Sequence, residues 1–169
     1  MLLRERVLAA NLLVQDMELA ARRRHQEAMT LLVSKQPAGA VYLFGYEAEM
    51  LLKSAAYRRL GARPNSQAGV FFRHARQRAR DIGLSGHSDQ FESGHGLLFW
   101  ARLVWSLPTP AGDVLPTDLR RTLSRHILRI ESRWVVEMRY SPDAGSTDEA
   151  MTVFRSVEWI ARNRVALWS

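Results

Sequence analysis

Residues 40–61 read AVYLFGYEAEMLLKSAAYRRLG. Val41, Phe44, Ala48, Leu51, Leu52 and Ala55 recur every three or four positions, the spacing of one face of an α-helix. The helix is predicted from Ala38 to Leu60. Pro37 suits a helix start, and Gly61 is placed to cap its end. Beside the apolar face run Tyr42, Tyr46, Glu49, Lys53 and Tyr57, a mixed aromatic and charged stripe that reads as a polar seam or a ligand-facing edge. Glu49 and Lys53 stand at i,i+4 in the favourable order. Gly45 costs about 1 kcal/mol of helix propensity against alanine but allows a neighbour to approach closely.

The flanking sequence is helical in the same way. Leu3, Val7, Ala10, Val14, Met17 and Ala21 form a stripe that resumes at Ala28 and Leu32 after a basic break, where His25 reads as part of a solvated turn, with reach into a groove as the alternative. Ser66 is the expected N-cap of a short basic helix ending near Asp81. Residues 84–96, LSGHSDQFESGHG, read as a loop; 97–107, LLFWARLVWSL, read as a buried helix, with a buried strand as the alternative. The proline-rich 108–117 is a connector. Pro116-Thr117-Asp118 opens a helix expected to reach Tyr140, and Ser146 with Glu149 forms a capping-box pattern before a last helix carrying Ala150, Phe154, Val157, Ala161, Val165 and Trp168. The expectation is one all-α domain over 1–169, an up-and-down helical bundle of about five to six helices.

Composition narrows the function. The 169 residues include no cysteine, which removes disulfides, thiolate metal sites and cysteine nucleophiles. No apolar run reaches the roughly 18 residues of a membrane span, so no membrane partner and a cytoplasmic location are expected. The formal charge of +7 invites a nucleic-acid partner, although 22 of the 24 basic residues are arginine, a skew that arginine-rich coding also produces. Phosphate-loop, dinucleotide-binding, HExxH and GxSxG motifs are absent, so no cofactor is expected. Glu92 and His95 make a single ExxH in a glycine-containing loop, where di-iron chemistry needs two on helices; no metal is expected. The five tryptophans read as packing residues, with Trp168 the expected exception.

Gly45-Tyr46-x-x-Glu49 followed by Lys53, and Trp134-x-x-x-x-Arg139-Tyr140 before a loop and a closing helix, together resemble the HEPN domain superfamily. The two echoes cover about 30 residues, in the family's order and roughly its spacing. The resemblance implies a small helical protein associated with RNA or nucleotides, acting as a homodimer, in some systems beside a nucleotidyltransferase-type partner protein. Many members are metal-independent endoribonucleases of toxin or defence type. Their R-x(4–6)-H signature uses histidine for proton transfer and arginine for phosphorane charge.

The arginine matching that signature is Arg139, but residues 144–146 are Ala144, Gly145 and Ser146, and no histidine comes after His126. Arg121 with His126 fits the spacing elsewhere, as do Arg120 with His126 and Arg80 with His87. At i,i+5 Arg121 and His126 stand about 140° apart round a helix. Three readings are open: a non-catalytic HEPN-like module binding RNA, a nucleotide or a partner protein; an active ribonuclease with Arg121 and His126 as catalytic candidates; or a helical adaptor with no nucleic-acid role. The ligand neighbourhood expected is Glu49, Lys53, Arg139 and Tyr140.

Overall fold

The computed structural model describes residues 12–84, 95–140 and 145–168, with Arg139 and Tyr140 described by backbone only. The α-helices among them are α1 (Val14–Val33), α2 (Pro37–Arg59), α3 (Ala68–Asp81), α4 (Leu97–Ser106), α5 (Thr117–Glu131), α6 (Thr147–Arg162) and α7 (Arg164–Trp168), and a 3₁₀ segment covers Val136–Tyr140. The described residues hold no strand, only an isolated bridge between Leu13 and Gln67. None of the helices described is long and apolar enough to cross a membrane. The all-α architecture expected from periodicity is the one observed.

α2 is the axis of the fold. Fourteen of its 23 residues are buried, on all sides rather than on one face, because α1, α3, α4, α6, α7 and the 3₁₀ segment all border it. The connection from α1 is so short that the two helices must run antiparallel. At the other end Gly61 adopts φ +88°, and the amides of Gly61 and Ala62 donate to the carbonyls of Arg58 and Tyr57. That bond pair satisfies carbonyls the helix end would leave bare.

Several local expectations are corrected by tertiary contacts. Gln67, not Ser66, precedes α3; the Ser66 hydroxyl instead accepts from the Arg63 amide at 2.9 Å. Residues 97–106 are helical, which settles the helix-or-strand alternative. The helix expected to reach Tyr140 stops at Glu131, because Trp134 leaves the helical path to pack on α2, and a 3₁₀ turn resumes afterwards. The last helix breaks at Asn163 into α6 and α7. Its start is as expected: Ser146 Oγ accepts from the Glu149 amide at 3.3 Å and Glu149 Oε2 accepts from the Ser146 amide at 2.8 Å. Those bonds also hold the Glu149 carboxyl below its ordinary pKa. The expected start of the first helix, and most of the 84–96 loop, lie outside the described residues.

Candidate functional site

Two carboxylates are buried on α2, Glu47 at 3% and Glu49 at 4% exposure. Two residues along a helix turn by about 200°, so they leave α2 on opposite sides and enter separate surroundings.

Glu49 anchors a polar node. Its Oε1 accepts from Lys53 Nζ at 2.5 Å, and its Oε2 lies 2.9 Å from His95 Nδ1. Where the carboxylate is the acceptor, the imidazole donates to it from Nδ1. The His95 side chain is 41% exposed and Lys53 only 15%. Lys53 Nζ also faces the rings of Trp100 and Phe72, 5.4 and 5.9 Å from their centres. Its charge is thus spent inside the protein, on Glu49 and on two ring faces. Burial, with the Glu49 charge adding to it, pushes the Tyr57 phenol well above its usual pKa and keeps it protonated.

His95 is placed by the helix that begins two residues later. Gly96 precedes α4, and Glu131 of α5 accepts from the Leu98 amide at 2.7 Å, pinning the first turn of α4. Burial raises the Glu131 pKa, a sign that this carboxyl is held inside the bundle.

The aromatic wall of the node is built on Gly45. Trp134 covers it so closely that a Cβ there would fall 2.1 Å from Trp134 Cδ1. Trp134 Nε1 donates to the Tyr42 carbonyl at 3.1 Å. The Tyr46 ring meets Trp134 edge-on at 5.7 Å and His95 at 6.3 Å. The two sequence segments that resemble HEPN proteins, Gly45 to Lys53 and Trp134 to Tyr140, are therefore in direct contact.

No family model, curated protein or solved structure matches this chain. The site accordingly rests on its own geometry. Of the expected ligand residues, Glu49 and Lys53 are brought together, and Arg139 and Tyr140 lie in the 3₁₀ segment after Trp134, their side chains outside the description. The alternative pair is separated. Arg121 is exposed and bonds Asp118 at 3.4 Å, whereas the His126 ring stacks on Trp159 at 4.7 Å. Burial first, then Arg129 and Arg125, lowers the His126 pKa. Arg120 Nε donates to the Leu115 carbonyl at 2.6 Å. Glu92, His87 and Ala144 lie outside the described residues. Among the residues described, no three metal-ligating side chains gather.

Two histidines matter more than their sequence surroundings suggest. His95, read as a loop residue, is a partner of Glu49. His25, read as a solvated turn with a groove as the alternative, has Nδ1 2.9 Å from Glu47 Oε2 and packs its ring on Phe44 and Phe154 at 5.8 and 5.9 Å. The one signal for His25 was its position: Ala21, His25 and Ala28 continue the apolar stripe of α1 at steps of four and three. Trp168, expected to be free, is half-buried between Arg58 and Arg164, whose guanidinium carbons lie 5.5 and 6.0 Å from its ring centre.

Proposed function

We infer that this chain is a HEPN-like module that binds RNA, with its contact centre at His95 and the Arg139–Tyr140 segment, on the framework of Glu49, Lys53 and Trp134. The observation that carries the reading is the seating of Trp134 on Gly45, which joins the two resembling segments and sets them beside an exposed, carboxylate-held imidazole. The net charge of +7 supports a polyanionic partner. Exposed Arg73 and Arg78 on α3, and Arg121, Arg125 and Arg129 on α5, supply basic surface. By the resemblance, Arg139 is the phosphate contact. Lys53 is a framework residue, since Glu49 already neutralises it.

A second reading, metal-independent RNA cleavage, is favoured by one specific feature, the 2.9 Å bond from His95 to Glu49. A carboxylate that orients an imidazole is the arrangement of a general base or acid.

Titrating labelled single-stranded RNA at several salt concentrations, in EDTA, tests both. The expected result is affinity that falls steeply with salt, with Arg139→Ala lowering the slope by about 0.7, the share of one phosphate contact. His95→Ala is expected to weaken binding several-fold and leave the fold intact, because the side chain is 41% exposed. Cleavage to cyclic phosphate ends, lost in His95→Ala, turns the conclusion to the second reading. No binding at low salt overturns both and leaves the adaptor.

A further inference from the structure

On the side of α2 away from Glu49, a cavity of about 90 Å³ lies between α1, α2, α6 and α7. Glu47, Glu18, Arg22, Arg164, Trp168 and Ala161 are in its wall. Its polar groups are bonded by the protein only in part. Glu47 is 3% exposed, and only its Oε2 is bonded, to His25; Oε1 has no partner among the described residues. Glu18 receives Ser54 and Arg58 entirely on Oε1, at 2.9, 3.2 and 2.8 Å, which leaves Oε2 unused. The Trp168 indole Nε1 is buried with no hydrogen-bond partner.

A buried indole N–H without a partner costs about 1–3 kcal/mol. Such a group on a residue that lines a small cavity, beside two carboxylates that each keep an oxygen the protein does not bond, indicates polar contents. The volume matches about three waters at roughly 30 Å³ each, the bulk of a molecule with about five or six non-hydrogen atoms. The charges are also sorted. Glu47 is buried and Glu18 half-buried, whereas Arg22 and Arg164 are exposed. A simple anion would meet Glu47 and Glu18, and a simple cation would pass two arginines. A molecule carrying both charges on adjacent atoms meets each wall with its complement.

We propose that this cavity binds a small zwitterionic α-amino acid of glycine or alanine size, its ammonium held by Glu47 and Glu18 and its carboxylate by Arg22 and Arg164. The site shares no side chain with the RNA reading and stands independently of it. Glu47 must be ionised to hold the ammonium. Burial raises its pKa to about 7, against the opposing effect of His25. The charged groups around it are His25, Glu18 and Arg22 from α1 and Arg164 from α7. Occupancy therefore rises as pH increases through about 7.

Calorimetric titration of the full chain with L-alanine at about pH 8, on the alkaline side of the Glu47 transition, tests this. Alanine and glycine are expected to bind, with ethylamine and propionate each about tenfold weaker for want of one charge-assisted bond set. Phenylalanine is expected to be excluded by size. Glu47→Gln should weaken alanine about tenfold. Ala161→Leu, which fills the cavity and alters no charge, should abolish binding; if it does not fold, Arg22→Ala takes its place with an expected several-fold loss. No heat from alanine up to about 50 mM, far above a millimolar Kd, overturns the proposal and leaves a water-filled cavity. Binding that persists in Ala161→Leu, or equal binding of phenylalanine, overturns it as well.

Discussion

Gly45→Ala is expected to destabilise the protein by about 3 kcal/mol, the upper end of the cost of overpacking a filled site. For a domain of this size that is a fall in Tm of about 6–12 °C. Alanine is ordinarily the better helix residue by about 1 kcal/mol, so local propensity predicts the opposite sign. The Trp134 ring decides it, since a Cβ at position 45 would fall 2.1 Å from two of its atoms. The tryptophan cannot simply slide, because its Nε1 is bonded to the Tyr42 carbonyl and its ring stands at 81° against Tyr46. The second half of the test is the double variant. Once Trp134 is also alanine, Gly45→Ala should become neutral or slightly stabilising, and the reversal of sign between the two backgrounds measures the contact. If Gly45→Ala stabilises the protein with Trp134 in place, the seating of Trp134 on Gly45 is wrong.

Glu47→Gln is expected to stabilise the protein by about 3 kcal/mol at pH 8 and by almost nothing near pH 4.5, the ordinary value for this carboxyl. Burial raises the Glu47 pKa from 4.5 to about 7. The folded state therefore binds this proton more tightly than the unfolded state does. The stabilising effect of protonation is complete below about 4.5, is lost as pH climbs through about 7, and stays lost above that. Glutamine keeps the shape and a hydrogen-bonding partner for His25 without the charge, so its advantage should open across that interval and then level off. Chemical denaturation of both proteins across this pH range gives the difference directly. A constant difference at all pH values would mean that Glu47 ionises as readily in the folded chain as in the unfolded one.

The features legible in the sequence and those hidden from it divide along the range of the interactions. The course of α2 was legible because its signals are local: apolar spacing, Pro37 at its start and Gly61 after it. The Ser146–Glu149 box was legible for the same reason, since its partners are three residues apart. The end of α5 was not. Residues beyond Glu131 are helix-compatible, and the chain departs only because Trp134 finds Gly45, 89 positions earlier in the sequence. The seam around Glu49 was visible as a stripe, yet its most exposed member was hidden, because the 46 positions separating Glu49 from His95 carry no record of the pairing. Glu47 escaped notice altogether. It sits two positions from Glu49 in a helix buried on every side, where periodicity cannot say which polar residue faces which neighbour.

The central position of α2 also sets how unevenly the molecule resists opening. Its amides are enclosed by neighbours on every side, so they exchange with solvent only when the whole bundle comes apart. α3 buries only three alanines, Ala68, Ala75 and Ala79, with Phe71 and Phe72 half-buried, and half of its residues are exposed. It is expected to open at a lower free energy than α2. Phe72 would leave the Lys53 ammonium as it did so, while the Glu49–His95 bond, which α3 does not contribute to, stayed closed.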